Sequence, residues 1–355
     1  MEDQYFAFIK AQTVAAIEEA YASRGFASIK AGHSDASDLV YNQACTEALN
    51  QSKKPAYTGP EVCAVPGKDG MFRVLRATSP SGKVLLTFAS YAAHATAGGG
   101  DGVHGDWPQF LSDDMSARFG GTGIAMVGAL GGTQPCRTAC AFTKPSNPGY
   151  NLASRKAAYL ANYGARVDAA LASATAVTGP VAAKQAFIRE AITGPAVTAL
   201  FAAGHYLGTG ILRNHDAPWV NGPTIRTVAS AIRIGDVAII GTPGEGFPRI
   251  GQDVRDALGS SAKEVLQLGL ANDQLGYLIA PAAYVPIIAA EAPVNDNIIF
   301  NVSPTIGDHV ACTDLALALQ LGFKGTTPAQ CAAYAAQDAA EATVATVPVG
   351  GIYVP

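Results

Sequence analysis

Apolar and polar positions along the chain alternate between helix-like and strand-like spacing. Residues 3–23 (DQYFAFIKAQTVAAIEEAYAS) carry apolar side chains at helical intervals and stop at Arg24-Gly25. The expectation is a helix that covers one face of a sheet. Residues 26–70, rich in Ser, Asn, Pro and Gly, read as irregular. Residues 72–77 and 84–91 look like strands joined by the turn Ser79-Pro80-Ser81-Gly82. The second apolar run reaches Ala93 and ends at His94. A Gly-rich loop with Asp101, His104 and Asp106 follows, then a helix-like stretch (108–119) and another apolar run (124–130). Strand, polar loop, helix, strand is the unit of an α/β sheet, and ligands bind beyond the carboxyl ends of such strands.

The second half reads in the same way. Residues 151–175 predict a helix with Asn151 as N-cap, and 185–192 a strand. The region 201–227 is loop-rich and holds His205, Arg213, His215, Asp216 and Trp219. Residues 227–234 and 237–241 flank Gly235-Asp236, a hairpin signal. Thr242-Pro243-Gly244-Glu245-Gly246 then opens a helix over 247–258, and 264–271 is a buried type of strand ending at Asn272. Beyond about residue 345 the chain is apolar, rich in Pro and Gly, and uncharged. No repeat or linker divides it, so residues 1–355 read as one α/β domain, layered, with mixed sheets flanked by helices.

Composition narrows the function classes. The 355 residues are 49% hydrophobic and 15% charged, ample for a full core. A net charge of -4 without any basic run argues against a nucleic-acid partner. No apolar stretch reaches the roughly 18 residues of a transmembrane span. The start, MEDQYFAFIK, has no basic segment followed by an apolar core, so no signal peptide is visible. The six cysteines fall into local pairs, Cys45/Cys63, Cys136/Cys140 and Cys312/Cys331. Together with few basic residues they point to disulfides and a secreted protein; six buried thiols in a cytosolic enzyme are the alternative. All 15 pairings of six cysteines stay open. Cys136 and Cys140 have three residues between them, with no second Cys/His pair at zinc-knuckle distance. Export-type composition without a signal peptide suggests a chain that begins partway into a longer precursor.

Three residues follow the carboxyl ends of predicted strands. Taken singly, His94 is a core or loop histidine, and Tyr277 a half-buried aromatic. Glu245 is a helix N-terminal cap worth about 1 kcal/mol, or else a metal ligand or general base. If their strands share a sheet, all three converge on one rim. One imidazole and one carboxylate suit zinc, which in catalytic sites takes three protein ligands and leaves a position for water. The chain has no Gly-x-Ser-x-Gly elbow, which argues against a serine hydrolase.

Five stretches, in order, resemble the neutral (alkaline, non-lysosomal) ceramidases and their bacterial relatives. Leu86-Thr87-Phe88 through His94-Ala95-Thr96 is similar to the family's strand ending in a zinc-binding His. Gly105-Asp106-Trp107-Pro108 resembles its Ser-Gly-Asp-x-x-Gly segment. Gly128-Ala129-Leu130-Gly131-Gly132-Thr133-Gln134-Pro135 resembles Gly-x-x-Gly-Asp-x-Ser/Asn-Pro. Thr242-Pro243-Gly244-Glu245 matches Pro-Gly-Glu. Leu268-Gly269-Leu270-Ala271-Asn272 with Gly276-Tyr277 matches Gly-Leu-(Ser/Ala)-Asn-x-x-x-x-Tyr. The likeness spans roughly residues 1–300.

The resemblance implies a neutral-ceramidase-like fold and a zinc-dependent amidohydrolase. Its substrate would be a lipid-like or other small N-acyl amide, in ceramide giving sphingosine and a fatty acid. His94 would ligate Zn2+ and Glu245 would be the carboxylate ligand. Tyr277 would be a ligand or a stabiliser of the tetrahedral intermediate, and Asp106 would orient His94 through its other ring nitrogen. The chain also departs from the family. The His-x-His motif upstream of the first helix has no counterpart, so His33, His205, His215 and His309 are the candidates to replace it. Asn42-Gln43 stands where the family has Asn-Arg; Gly132 and Gln134 replace an Asp and a Ser or Asn; Ala290, before Glu291, replaces a Tyr. The expectation is a catalytic domain without the family's N-terminal portion and without its C-terminal immunoglobulin-like domain. The alternative function is an inactive relative that binds a ligand or partner. Oligomeric state has no signature in the sequence.

Overall fold

Period-two alternation decides the architecture. In β10 (Val237–Gly241), Ala238 and Ile240 face one way, Val237 and Ile239 the other, and all four are buried. A strand apolar on both sides needs a sheet covered on both sides. The structure is a computed structural model and describes residues 2–42, 67–96, 103–135, 152–194, 224–281 and 300–344. It meets that need with four layers: helices, sheet, sheet, helices.

The first sheet has the order β5-β4-β3-β1-β7. Its strands are β1 (Ser28–Asp35), β3 (Met71–Thr78), β4 (Val84–Tyr91), β5 (Thr122–Val127) and β7 (Thr175–Ala176). β4 and β5 are parallel and joined through α2 (Asp106–Phe119), as the strand-loop-helix-strand reading requires. With α3 (Leu152–Ser173), α2 covers the outer face. Phe72, Tyr91, Trp107, Tyr159 and Tyr163 interlock there. The second sheet has the order β12-β10-β9-β8, with β8 (Val181–Ala191), β9 (Thr224–Ile234) and β12 (Glu264–Leu268). β9 and β10 form the hairpin expected around Gly235-Asp236. Helices α4 (Pro248–Leu258) and α5 (Ile306–Gln320) cover its outer face with Ile250, Val254, Leu258, Val310 and Leu315. Between the sheets lie Ala31, Leu75, Val237, Ile239 and Leu266.

Four expectations are corrected. Helix α1 (Glu2–Ala22) forms, yet it covers no sheet face: every side chain from residue 4 to 22 is exposed, including Tyr5, Phe8 and Ile17. Its apolar residues are spread around the helix rather than gathered in a stripe that could dock. Part of the stretch read as irregular contains β1 and β2 (Val40–Asn42). The turn-like Gly32 in β1 is there for contact: a Cβ would sit 2.4 Å from the Ala170 carbonyl of α3. Helices α5 and α6 (Cys331–Val344) were not read from the sequence. Buried on most sides, α5 has no polar face to show a period. Finally, β4 belongs to one sheet and β10 and β12 to the other, so the strands ahead of His94, Glu245 and Tyr277 do not share a sheet. Asn151, as N-cap, and the cysteines Cys45, Cys63, Cys136 and Cys140 lie outside the described residues.

Helix α6 is fastened to α5 by the disulfide Cys312–Cys331 and by a buried charge relay. His309 Nδ1 is 2.8 Å from Glu190 on β8, and Nε2 is 2.9 Å from Asp338 on α6. Tyr334 stacks on the ring, and Thr305 donates to Glu190 at 2.6 Å. Burial alone would lower the imidazolium pKa, but the hydrogen bonds to Asp338 and Glu190 outweigh it and raise it to about 9. The sign follows. A histidine whose pKa is higher folded than unfolded stabilises fully below about pH 6.5, and that stability is lost as pH rises through about 9. Denaturant titrations of the oxidised chain are expected to lose on the order of 3 kcal/mol between pH 6.5 and 10 from this group. The same series on His309→Gln should lack that component; equal slopes for both proteins would refute the relay.

Candidate active site

His94 lies three residues past β4, and its backbone is held on both sides. Its N–H donates to the Thr133 carbonyl at 3.3 Å, and its carbonyl accepts from Trp107 Nε1 at 3.0 Å. Thr133 opens β6 (Thr133–Pro135), which pairs with β2 so that Asn42 stands opposite Thr133. Thr133 Oγ1 donates to the Ala129 carbonyl at 2.9 Å, closing the Gly-rich segment 128–133 on itself.

Glu245 comes from the other sheet. The turn that bears it is bonded through its backbone to residues 268–278. Thr242 N–H donates to Leu268 O, Ala271 N–H to Thr242 O, Leu275 N–H to Pro243 O and Glu245 N–H to Gly276 O, all between 2.8 and 3.0 Å. The short parallel pair β11 (Glu245–Gly246) and β13 (Tyr277–Leu278) then sets Glu245 beside Tyr277. This explains Gly244 and Gly276: a Cβ on Gly244 would meet the Gly276 carbonyl at 2.6 Å, and Gly276 itself has φ +80°.

The two halves meet at the 128–133 segment. Gly131 N–H donates to Gly246 O at 3.0 Å, and Gly269 N–H to Val127 O at 3.2 Å. A Cβ on Gly131 would lie 2.4 Å from the Glu245 carbonyl, so only glycine permits this approach. As a result His94 Nε2 and Glu245 Oε2 face each other at 2.9 Å, with side chains only 18% and 16% exposed. The approach lacks hydrogen-bond geometry, and Glu245 Oε2 is buried without a hydrogen bond. A buried carboxylate oxygen left in that state is costly unless a further group binds it.

All three non-glycine residues with left-handed backbone among the described residues fall in this neighbourhood's sequence segments: Asp106 (φ 56°), Leu270 (φ 55°) and Asn272 (φ 71°). Such conformations cost on the order of 1–3 kcal/mol each and persist where surrounding structure imposes them. The Asn272 side-chain amide donates to the Ser230 hydroxyl on β9 at 3.0 Å. Asp106 is buried; its Oδ1 accepts the Trp107 N–H at 2.6 Å, and its own N–H donates to His104 Nδ1 at 3.1 Å. Asp106 thus holds the peptide N–H of Trp107, whose indole N–H in turn holds the His94 carbonyl, a role that only the Gly-Asp-Trp-Pro context could have suggested.

An imidazole nitrogen facing a buried carboxylate oxygen that has no hydrogen bond makes a pair of donors of the kind that zinc takes. Among the described residues, no group of three or more His, Cys, Asp or Glu side chains could hold a metal ion. His33 bonds to Glu264 at 2.6 Å, and His309 lies in the relay with Glu190 and Asp338, so neither joins His94. His205, His215, Asp101 and Glu291 lie outside the described residues. Gln134, at a departure from the family pattern, accepts the Thr96 hydroxyl at 2.8 Å beside the His94 loop.

No family model matches the chain, and no curated protein does. Solved structures do. Neutral ceramidase from Pseudomonas aeruginosa superposes with a TM-score of 0.62 at 16% identity, over 89% of this chain and 56% of that one. The fold is that of the neutral ceramidases. A ceramidase complexed with C2 gives a TM-score of 0.57, also at 16% identity, over 85% of this chain and 55% of that one. The chain therefore spans little more than half the length of the ceramidase chains it matches. Within this ceramidase fold, the segments that resembled the family in sequence are neighbours in space. β2 and β6 bring Asn42 to the Gly-rich segment, and that segment joins His94 to Glu245.

Gly131→Ala tests the junction. The added Cβ must displace the Glu245 backbone, and denaturant titration should show a loss of roughly 1–3 kcal/mol. Gly25→Ala, with nothing within 4 Å of its Cβ, should leave stability within about 0.5 kcal/mol. Equal stabilities for the two variants would contradict the close approach.

Proposed function

We propose that this chain is a zinc-dependent amidohydrolase domain that cleaves an N-acyl amide of a lipid-like substrate. The observation that carries the reading is Glu245 Oε2, buried, unbonded and 2.9 Å from His94 Nε2 at the meeting point of the two sheets. His94 and Glu245 would hold the ion, with Tyr277, next to Glu245 in the β11–β13 pair, as third ligand or as donor to the developing oxyanion. Zinc, when bound, lowers the pKa of its water to about 7 and polarises the amide carbonyl.

The protein's own part is positioning. Thr133 and Trp107 fix the His94 backbone from two sides, so that the ring presents Nε2 to Glu245. Asp106 acts on His94 through Trp107, which it holds by the peptide N–H. The backbone ladder from Thr242 to Tyr277 sets the carboxylate and the phenol on adjacent strands, a preorganisation of the kind that catalysis needs. Secretion is part of the same proposal and is supported by the Cys312–Cys331 disulfide. No helix among the described residues is long and apolar enough to cross a membrane.

A second reading, an inactive relative that binds a ligand or partner, is favoured by the lack of a third His, Cys, Asp or Glu beside the pair among the described residues. Metal stoichiometry separates the two. Elemental analysis and zinc titration of the purified 355-residue chain are expected to give close to one zinc. Affinity should fall at least tenfold in Glu245→Gln, and hydrolysis of a short-chain N-acyl amide should fall with it. A chain that holds no zinc sinks the hydrolase reading in favour of the binding one.

A further inference from the structure

The facing sides of the two sheets are apolar at their centre and charged at one end. His33 and Arg73 are cross-strand partners on β1 and β3, on the same side as Ala31 and Leu75. Glu264 starts β12 on the same side as Leu266. Arg255, in the last turn of α4, reaches across to Asp69, two residues before β3. These residues and Lys263 line a cleft of about 340 Å³. It lies at the amino end of β12, whereas Tyr277 follows the carboxyl end.

The hydrogen bonding in the cleft does not close. A guanidinium carries five N–H donors and no acceptor. Arg73 and Arg255 direct their Nη1 atoms at the same oxygen, Asp69 Oδ2, at 2.9 and 3.0 Å. Asp69 Oδ1 is taken by the Met71 N–H at 3.1 Å. The other bonds of these arginines are Arg73 to the Met71 carbonyl at 3.3 Å and Arg255 Nη2 to Gln252 at 3.2 Å. Glu264 offers little more: His33 holds Oε1 at 2.6 Å, and Oε2 stands 3.6 Å from Arg73 Nε. Arg73 is only 7% exposed, and its Nε is buried without an acceptor within hydrogen-bond distance, while Arg255 Nη1 has only the Asp69 oxygen that it shares with Arg73. Unsatisfied buried donors of this kind are expensive.

Charge points the same way. Arg73, Arg255 and Lys263 face two carboxylates, Asp69 and Glu264, so one positive charge remains even with His33 neutral. The Lys263 ammonium is held by neutral acceptors, the Thr175 and Ala176 carbonyls at 2.9 and 3.3 Å. Burial pushes the Asp69 carboxyl up, but the Arg73 and Arg255 guanidinium groups outweigh it and hold it below the usual range, so it remains an anion. Two guanidinium groups with spare donors, in a cleft with a surplus positive charge, match the chemistry of an oxygen-rich anion.

We propose that this cleft binds a small oxyanion of the carboxylate or phosphate class between Arg73 and Arg255. Bound there, the anion accepts the N–H groups that Asp69 cannot reach and ties the start of β3 to the end of α4, hence one sheet layer to the other.

The test is calorimetric titration of the full chain with inorganic phosphate and, separately, with acetate, at ionic strength held constant by sodium chloride. Saturable binding is expected with phosphate, together with a rise in the thermal midpoint. Affinity should fall at least tenfold in Arg255→Gln. It should also fall in Gln252→Glu, which keeps both arginines and sets a competing carboxylate beside them. Binding of phosphate alone assigns a tetrahedral anion to the cleft; binding of both assigns the carboxylate class as well. Neither heat nor stabilisation with either anion overturns the proposal. So does unchanged binding in a folded Gln252→Glu protein, since the anion would then sit elsewhere.

Discussion

The close backbone approach of residues 128–133 to the ends of both sheets is the constraint on which the candidate site depends. His94 and Glu245 belong to different sheets, and nothing in the strand pairing of either one brings them together. The junction does so through three main-chain hydrogen bonds: His94 to Thr133, Gly131 to Gly246 and Gly269 to Val127. The last two need backbones closer than side chains would permit. That is the physical reason for glycine at 131 and 269, where a Cβ would overlap a carbonyl oxygen at 2.4 or 2.6 Å. His94 and Glu245 are thus positioned through backbone ties that run between the two sheet layers.

Much of the fold was legible because its periods are strong. β3, β4, α2, α3, the β9–β10 hairpin and α4 all fall where apolar spacing and turn residues predict them. What stayed hidden had local chemistry that competed with tertiary contact. β1 carries a glycine demanded by helix α3 rather than by a turn, and α5 lacks a solvent face that would give it a period. α1 shows the converse. Its helical spacing is genuine, but spacing alone does not say which layer the helix meets, and here it meets none.

The site was legible in a different manner. His94, Glu245 and Tyr277 were singled out as residues past strand ends, on the premise of one shared sheet. The structure brings His94 and Glu245 together, and pairs Glu245 with Tyr277, without that premise. Strand-end position thus picked out residues that the structure places side by side, though not through the shared sheet it assumed. Trp107 and Thr133, which hold the His94 backbone, carry no signal of their own, since their contribution is one indole N–H and one carbonyl.

The charged end of the inter-sheet layer carried a signal that strand reading discards. Arg73 lies inside an apolar run, and Glu264 opens another, positions that point into the same layer as Leu75 and Leu266. Pointing a guanidinium into a sheet-to-sheet core costs several kcal/mol unless it is paired and fully hydrogen-bonded. Pairing here is shared, two guanidinium groups to one carboxylate oxygen, so the network lowers that cost without removing it. The two sheets therefore meet under opposite terms at their two ends. At one end backbone hydrogen bonds, two of them donated by glycines, join the layers. At the other, side-chain donors outnumber their acceptors, and this imbalance makes that end receptive to an anion.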